Sequence, residues 1–140
     1  MIIHTQRGRA RRGANAVEFA LTLPIFLMLV LGTMDYGLIF MTQAGLDSAV
    51  SIGCREGAMV DPLVGDPTIA AHDQVVALAN YWCADTPCDI TVTDSGGATA
   101  PTRTLECRIS RDTEAIIGFV PAPDELESVS QYRLEWQRST

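Results

Sequence analysis

The sequence predicts an α+β protein with a long N-terminal helix, a second helix and a small antiparallel sheet of three to four strands. Three observations support this fold class. Residues 16–41 form an apolar stretch long enough to cross a bilayer as a helix. Residues 67–82 place apolar side chains at helical spacing. Several later segments alternate β-branched and polar residues, as strands do, and helices followed by a run of strands are typical of the α+β class.

The apolar stretch is the feature around which the rest of the chain is organised. No side chain between residues 19 and 34 is charged, and residues 16–41 would rise ~39 Å as a helix, against a hydrocarbon thickness of ~30 Å. This length places Glu18 and Asp35 near the two membrane faces. Four arginines precede the stretch and none follows it before Arg55, so the positive-inside rule predicts a cytoplasmic N-terminus.

Glu18 interrupts the apolar stretch close to its N-terminal end. An ionised carboxylate inside hydrocarbon costs about 3 kcal/mol on insertion scales, so such an acid usually has a partner or a function. The alternative is that Glu18 lies at the interface and is simply hydrated. Its chemistry alone leaves both interpretations open.

The first helix is expected to begin near Ala14, because residues 1–13 interleave arginine and glycine without apolar periodicity and should be disordered. Beyond the membrane the helix continues as an amphipathic segment and should end near residues 57–59, before an Asp-Pro pair. Pro24 lies well inside the helix. It removes one backbone hydrogen bond, so we expect a kink or a local loosening in the preceding turn.

The outer domain should open with a proline-containing loop, after which Asp66 is a good N-cap and Pro67 a good first residue for the second helix. Strands are predicted over residues 89–94, 102–110 and 129–137. Residues 115–120 are either a further strand or a single helical turn. The acids Asp124, Glu125 and Glu127 are expected in an exposed loop.

The net negative charge of the chain argues against a nucleic acid as its partner. Lysine is absent, and residues from Ala14 onward hold six arginines against seventeen acids, a net side-chain charge of −11. Phosphate contacts need clustered basic residues, so a nucleic acid is not an expected partner. The acids are dispersed along the chain, which is typical of a solvated surface.

All four cysteines follow the apolar stretch and would lie on the oxidising side of the membrane, so two disulfides are expected. Three pairings are possible. We favour Cys83–Cys88, which closes a local loop, together with Cys54–Cys107, which ties the long helix to the sheet. A metal site is a weak alternative, because no histidine lies near Cys83 and Cys88 and no second paired motif exists.

We find no catalytic constellation. His4 and His72 are the two histidines, and neither has metal-ligand companions at a suitable spacing. The acids at residues 124–127 do not form an EF-hand pattern, and no glycine-rich phosphate loop occurs. We therefore expect a protein that is not an enzyme, with no catalytic residues, no metal and no cofactor.

A basic leader, then Gly13 and a glutamate five residues later, then a hydrophobic helix, together resemble the processing site of type IV pilins. The chain resembles more closely the TadE-like pseudopilins of the Tad (tight adherence) pilus. The resemblance is carried by GANAVEFAL at residues 13–21, Pro24, GTMDYG at residues 32–37 and REGA at residues 55–58. It covers about residues 12–58, and beyond them only the general pattern of a small extracytoplasmic domain is similar.

The resemblance implies cleavage after Gly13 by a prepilin peptidase, a membrane aspartic peptidase, which leaves Ala14 as the new N-terminus. It implies that Glu18 pairs with the Ala14 ammonium of a neighbouring subunit. For subunit packing we single out Phe19, Pro24, Gly32, Asp35, Tyr36 and Gly37. Asp35 could be hydrated, which is our default, or could pair with Arg55 or with another subunit.

These features predict a basic leader (1–13), a transmembrane and spine helix (14–60) and an extracytoplasmic α+β domain (61–140). The expected protein is a minor pilin or pseudopilin, structural or assembly-priming, in the bacterial inner membrane with its outer domain periplasmic or extracellular. Expected partners are the prepilin peptidase, other pilin and pseudopilin subunits and the pilus assembly machinery. The alternatives are a bitopic protein whose outer domain binds a partner without entering a filament, and a membrane-anchored enzyme.

Overall fold

In the computed structural model of the protein, residues 7–95, 103–113 and 121–134 are described. They form, in chain order, α1 (Arg7–Ala58), α2 (Pro67–Ala79), β1 (Cys88–Asp94), β2 (Thr104–Asp112) and β3 (Glu125–Arg133). Two helices followed by one antiparallel sheet confirm the predicted α+β class. The segment 115–120 and the predicted strand residues 135–137 lie outside the described residues.

The helix α1 contains 52 residues and ends at Ala58, as predicted. It begins at Arg7, so the expectation of a disordered leader is wrong for residues 7–13. Arginine and alanine are good helix formers, and a helix already nucleated downstream extends backwards without a new nucleation cost. α1 also continues through Pro24 without interruption, and in the preceding turn the Thr22 hydroxyl donates to the Glu18 carbonyl (3.0 Å).

The helix α2 begins where its local signals place it. The Asp66 carboxylate accepts hydrogen bonds from the backbone N–H of Thr68 (2.9 Å) and from its hydroxyl (2.6 Å), and Pro67 occupies the first turn. α2 ends at Ala79, three residues before the predicted end at Trp82. After Ala79 the chain turns, with the backbone N–H groups of Trp82 (2.8 Å) and Cys83 (3.0 Å) donating to the Ala79 carbonyl. The Trp82 carbonyl accepts a hydrogen bond from the Arg111 guanidinium.

The stabilisation of α2 by its N-cap, Asp66, depends on pH. Hydrogen bonds from the Thr68 hydroxyl, and then from its backbone N–H, hold the pKa of Asp66 below its usual value of 3.8. Because this pKa is lowered by folding, the cap stabilises the fold above pH 3.8 and its contribution is lost as the pH falls through the folded-state pKa.

We expect Asp66→Ala to lower the unfolding temperature at pH 7, because the orphan N–H groups of α2 lose their acceptor. Asp66→Asn keeps an acceptor that does not titrate, so it should stay close to wild type at pH 7 and become relatively more stable in acid. Thermal unfolding followed by circular dichroism between pH 2 and pH 7 checks both outcomes. A constant offset between the Asn variant and wild type across this range would contradict the assignment.

The sheet has the order β1-β2-β3, with both neighbouring pairs antiparallel. Its inner face is lined by the fully buried side chains of Leu105, Cys107 and Ile109 from the central strand. The register sets Cys107 opposite Val92 on one side and Ser130 on the other.

The strand β3 starts earlier than predicted. Glu125 and Glu127 lie in β3, and only Asp124 of the three acids precedes it, so the predicted acidic loop is wrong for those two residues. Long-range pairing explains the difference, because β2 continues to Asp112 and its last residues pair with Glu125 and Leu126. Leu126 is buried whereas Glu125 and Glu127 point outward, a clean two-residue alternation.

The core lies between three elements: the C-terminal part of α1 from Leu46 onward, which we call its outer half, then α2, and the inner face of the sheet. Leu46, Val50 and Cys54 of α1 are fully buried, and Ala71 and Val75 face them from α2. Polar contacts also join α1 to the edge strand. The Gln43 side chain donates to the Glu127 carbonyl (3.0 Å), and the Ser51 and Tyr132 hydroxyls lie 2.9 Å apart.

Gly53 and Gly57 allow α1 and α2 to approach closely, and Gly45 allows Trp82, which follows α2, to pack against α1. A Cβ atom on Gly53 would lie 2.6 Å from Val75 Cγ2, and one on Gly57 would lie 2.7 Å from the Ala71 Cα atom. A Cβ atom on Gly45 would meet the Trp82 ring, 2.5 Å from its Nε1. The small residues of this part of α1 therefore serve contacts within the chain.

Two disulfides are present, and they are the two pairs that the sequence analysis favours. Cys54–Cys107 joins α1 to β2 with Cα atoms 5.8 Å apart, and both residues are fully buried. Cys83–Cys88 closes the loop between α2 and β1 with Cα atoms 5.5 Å apart.

Candidate membrane and subunit-contact site

The predicted processing site lies on the N-terminal part of α1, up to about residue 30, which we call its inner half. Gly13 is exposed, and a Cβ atom built on it would meet no atom within 4 Å. Glu18 is also exposed, and among the described residues its carboxylate has no hydrogen-bond or ion-pair partner. Positions 14 and 18 are one helical turn apart on the same face, about 6 Å along the axis.

The inner half of α1 is apolar and uncovered by the rest of the chain. Phe19 is 63% exposed, Leu21 69% and Leu29 65%, and the whole run 15–30 is exposed. Among the described residues, the Asn15–Ala58 part of α1 is long and apolar enough to cross a membrane. A continuous apolar surface of this kind marks a membrane or protein contact.

The structure divides the residues predicted for subunit packing into two groups. Phe19, Pro24 and Gly37 are exposed on α1. Gly32 and Asp35 are buried, and Tyr36 is half-buried. The Tyr36 hydroxyl donates to the Pro121 carbonyl (2.9 Å), so this turn of α1 contacts the start of the segment that leads into β3.

Asp35 is 6% exposed and lines a pocket, so its side chain is largely shielded from bulk solvent, and its hydration stays a prediction. An ion pair with Arg55 of the same chain is excluded, because 20 residues of continuous α1 separate the two by about 30 Å. The local sequence does not show this burial, because it depends on the return of the chain to α1 after β2.

A pocket of about 520 Å³ lies beside Asp35. Its walls are the α1 segment 35–42, the Cys83–Cys88 loop and the residues 111–113 that end β2. The Arg111 guanidinium braces the loop by donating to the Trp82 carbonyl and to the Thr86 hydroxyl (3.2 Å for the latter). Sequence reasoning missed this pocket, because its walls come from three distant parts of the chain.

The second histidine does not belong to any cluster. His72 Nδ1 lies 3.6 Å from the Asp73 carboxylate, and both side chains are exposed. Within residues 7–95, 103–113 and 121–134, no three His, Cys, Asp or Glu side chains are grouped so that they could hold a metal ion.

One known protein family matches the part of the chain that contains Gly13 and Glu18. The TadE-like protein family matches residues 13–55, from the predicted cleavage position to the outer half of α1. No curated protein and no solved structure matches the chain. Over residues 13–55 the chain is therefore TadE-like, which confirms the resemblance predicted from Gly13, Glu18 and the segments that follow them.

Proposed function

We propose that this chain is a minor pilin or pseudopilin of a Tad (type IVc) adhesion pilus, acting as a structural or assembly-priming subunit. The observation that carries the proposal is the division of α1. Its outer half is buried by the chain's own α2 and sheet, whereas its TadE-like inner half leaves its apolar side chains exposed. Lipid covers this surface before assembly, and the helices of other subunits cover it afterwards.

In this proposal only a subunit that has been cleaved after Gly13 can assemble. A prepilin peptidase hydrolyses the peptide bond after Gly13, which creates an α-ammonium group on Ala14. That ammonium pairs with Glu18 of a neighbouring subunit. A carboxylate and an ammonium held together in low dielectric offset each other's desolvation cost, and the unprocessed chain lacks this cation.

The proposed topology is single-pass in the bacterial inner membrane. The arginine-rich residues 7–12 stay in the cytoplasm, and α2 and the sheet lie outside. The two disulfides favour this orientation, because they persist on the oxidising side of the membrane. In this proposal the chain performs no catalysis, and its partners are the peptidase, other pilin subunits and the pilus assembly machinery.

Intact-mass analysis of the unreduced protein from its native membrane tests processing. The expected mass begins at Ala14 and is four hydrogens lighter than the reduced chain, because two disulfides are present. A mass that begins at Met1, in a host that processes its other pilins, would favour an anchored module outside any filament.

We expect Glu18→Ala to insert into the membrane normally but to enter filaments about 100-fold less than wild type. Removing one partner of a buried ion pair costs about 3 kcal/mol or more, which corresponds to this ratio. The measurement is the amount of subunit in sheared filaments relative to the amount in membranes. Glu56→Ala, at an exposed acid on the outer half of α1, is the matched control and should assemble normally. Normal assembly of Glu18→Ala would exclude the pairing.

A further inference from the structure

The pocket beside α1 contains more acid than base. Its charged lining groups are the carboxylates of Asp35, Asp85 and Asp112 and the guanidinium of Arg111. The Arg111 guanidinium donates to two neutral oxygens, a backbone carbonyl and a hydroxyl, and within the described part of the chain no ion pair joins it to an acid of the pocket. The pocket therefore carries an excess of negative charge and favours a cationic occupant.

Asp35 is the acid of this pocket that most needs a cation. Its side chain is more than nine-tenths buried, and the described residues offer its carboxylate no hydrogen bond or ion pair. A carboxylate shielded from water is costly unless a partner is supplied. Leu38 and Ile39 line the pocket further along α1, on the side away from the membrane. An arginine fits both features, because its apolar stem packs on aliphatic side chains while its guanidinium binds carboxylates.

Arg55, in the last turn of α1, is a cation that its own chain leaves available. It is exposed and makes no hydrogen bond or ion pair with the residues that the structure describes. Arg103, Arg108 and Arg111, in contrast, all bind groups of their own chain. Because about 30 Å of continuous helix separates Arg55 from Asp35, Arg55 cannot reach the pocket of its own chain.

The positions of the two residues on α1 determine how two copies could bring them together. The 20 residues between Asp35 and Arg55 turn by about 200°, so the two lie on nearly opposite faces of the helix. A closed parallel pair of copies has no axial shift, and a closed antiparallel pair would need both residues on one face. The contact is therefore head-to-tail, and a contact of this kind repeats from copy to copy along an open assembly.

The same shift also brings apolar surfaces together. With parallel α1 helices, residue n of the second copy lies level with residue n + 20 of the first. On the face that carries the acid, the second copy exposes Val17, Leu21 and Met28, and on the face that carries the arginine, the first copy exposes Met41 and Ile52. All five lie within about 60° of the acid or the arginine around the helix. Each copy would thus cover apolar side chains of the other.

We propose that Arg55 of one copy enters the Asp35 pocket of a second copy, which is displaced by about 30 Å along parallel α1 helices. The guanidinium donates to the Asp35 carboxylate, and the exposed Asp85 and Asp112 add to the attraction. The inference rests on the proposed function. Two copies inserted in one bilayer lie at the same depth, and the shift equals the hydrocarbon thickness of ~30 Å, so the contact forms only in the filament.

The absence of lysine from the chain allows a direct test, because Arg55→Lys introduces its only side-chain amine. A carbodiimide joins an amine to a carboxylate that touches it, and we would apply it to sheared filaments and to native membranes that contain the full-length variant. The expected product in filaments is two copies joined from residue 55 to Asp35, located by mass spectrometry of reduced chymotryptic peptides. Membranes should lack this product.

Arg108→Lys is the matched control. Arg108 lies 3.5 Å from Glu106 and also pairs with Glu127 of its own chain, so its links should stay within one copy. Adding Asp35→Asn to Arg55→Lys should remove the link between copies. Co-expression of that double variant with a tagged wild-type copy should restore the link, now between the two chains, because only the wild-type copy keeps the acid.

Arg55→Ala provides a second variant if Asp35→Asn does not fold, since the arginine is exposed. It should lower the amount of subunit in filaments, relative to membranes, about tenfold, because a hydrogen bond to a charged group corresponds to about that ratio. Unchanged incorporation of Arg55→Ala would overturn the proposal. Links from residue 55 that stay within one copy, or equal yields in membranes and filaments, would do the same.

The experiment separates this inference from the proposed function. If the wild-type chain is absent from sheared filaments, the proposed function fails and the contact fails with it. If the chain is present in filaments and residue 55 forms no link to the pocket of a second copy, only the contact fails.

Discussion

Replacing Cys54 and Cys107 together with alanine should lower the free energy of unfolding of the outer domain by about 4 kcal/mol. The disulfide joins residues 53 positions apart, and in the chain-entropy account a cross-link of this length removes much of the freedom of the unfolded chain. For a domain of this size that is a large share of the total stability. Urea unfolding of the purified full-length protein, followed by tryptophan fluorescence, measures the change.

The second disulfide supplies the matched control. Cys83 and Cys88 are 5 positions apart, so the Cys83→Ala, Cys88→Ala double variant should lose only about 2 kcal/mol. Both variants remove the same number of sulfur atoms. Equal losses from the two variants would show that loop length does not govern their contribution. A loss near zero for Cys54 and Cys107 would mean that packing alone holds α1 against β2.

Gly57→Ala should lower the free energy of unfolding by about 2 kcal/mol. The new Cβ atom would lie 2.7 Å from the Ala71 Cα atom and 2.8 Å from its nitrogen, so α2 must move away from α1 as a backbone. Overpacking of this kind costs about 3 kcal/mol at its upper range, and the better helix propensity of alanine returns about 1 kcal/mol. Urea unfolding by the same fluorescence signal measures the difference.

Gly37→Ala is the control for this change, because it makes the same substitution in the same helix. A Cβ atom at Gly37 meets nothing within 4 Å, so only the propensity gain remains and the variant should be more stable by up to about 1 kcal/mol. The two changes are therefore expected to have opposite signs. If Gly57→Ala were also stabilising, the close approach of α1 and α2 would be wrong.

Many features of the chain follow from signals that lie close together in sequence. The apolar run, the Asp-Pro pair after Ala58 and the Asp66 cap with Pro67 correctly predict α1 beyond Ala14 and the start of α2. Alternation correctly predicts β1 and β2 within two residues, and the same two cysteine pairs follow from loop closure and from the expected contact of helix with sheet. Gly13 and Glu18 stand at the spacing that carries the TadE-like resemblance.

The tertiary structure alone decided the features that need a distant partner. β3 begins at Glu125 because the last residues of β2 pair with Glu125 and Leu126, and Arg111 binds the Trp82 carbonyl beyond the end of α2. Asp35 is buried because residues far along the chain return to the same turn of α1. Local propensity contains no information about such contacts. The sequence by itself therefore determined the long apolar helix and its TadE-like start, whereas only the folded chain brought Asp35, Arg111 and Thr113 to one pocket.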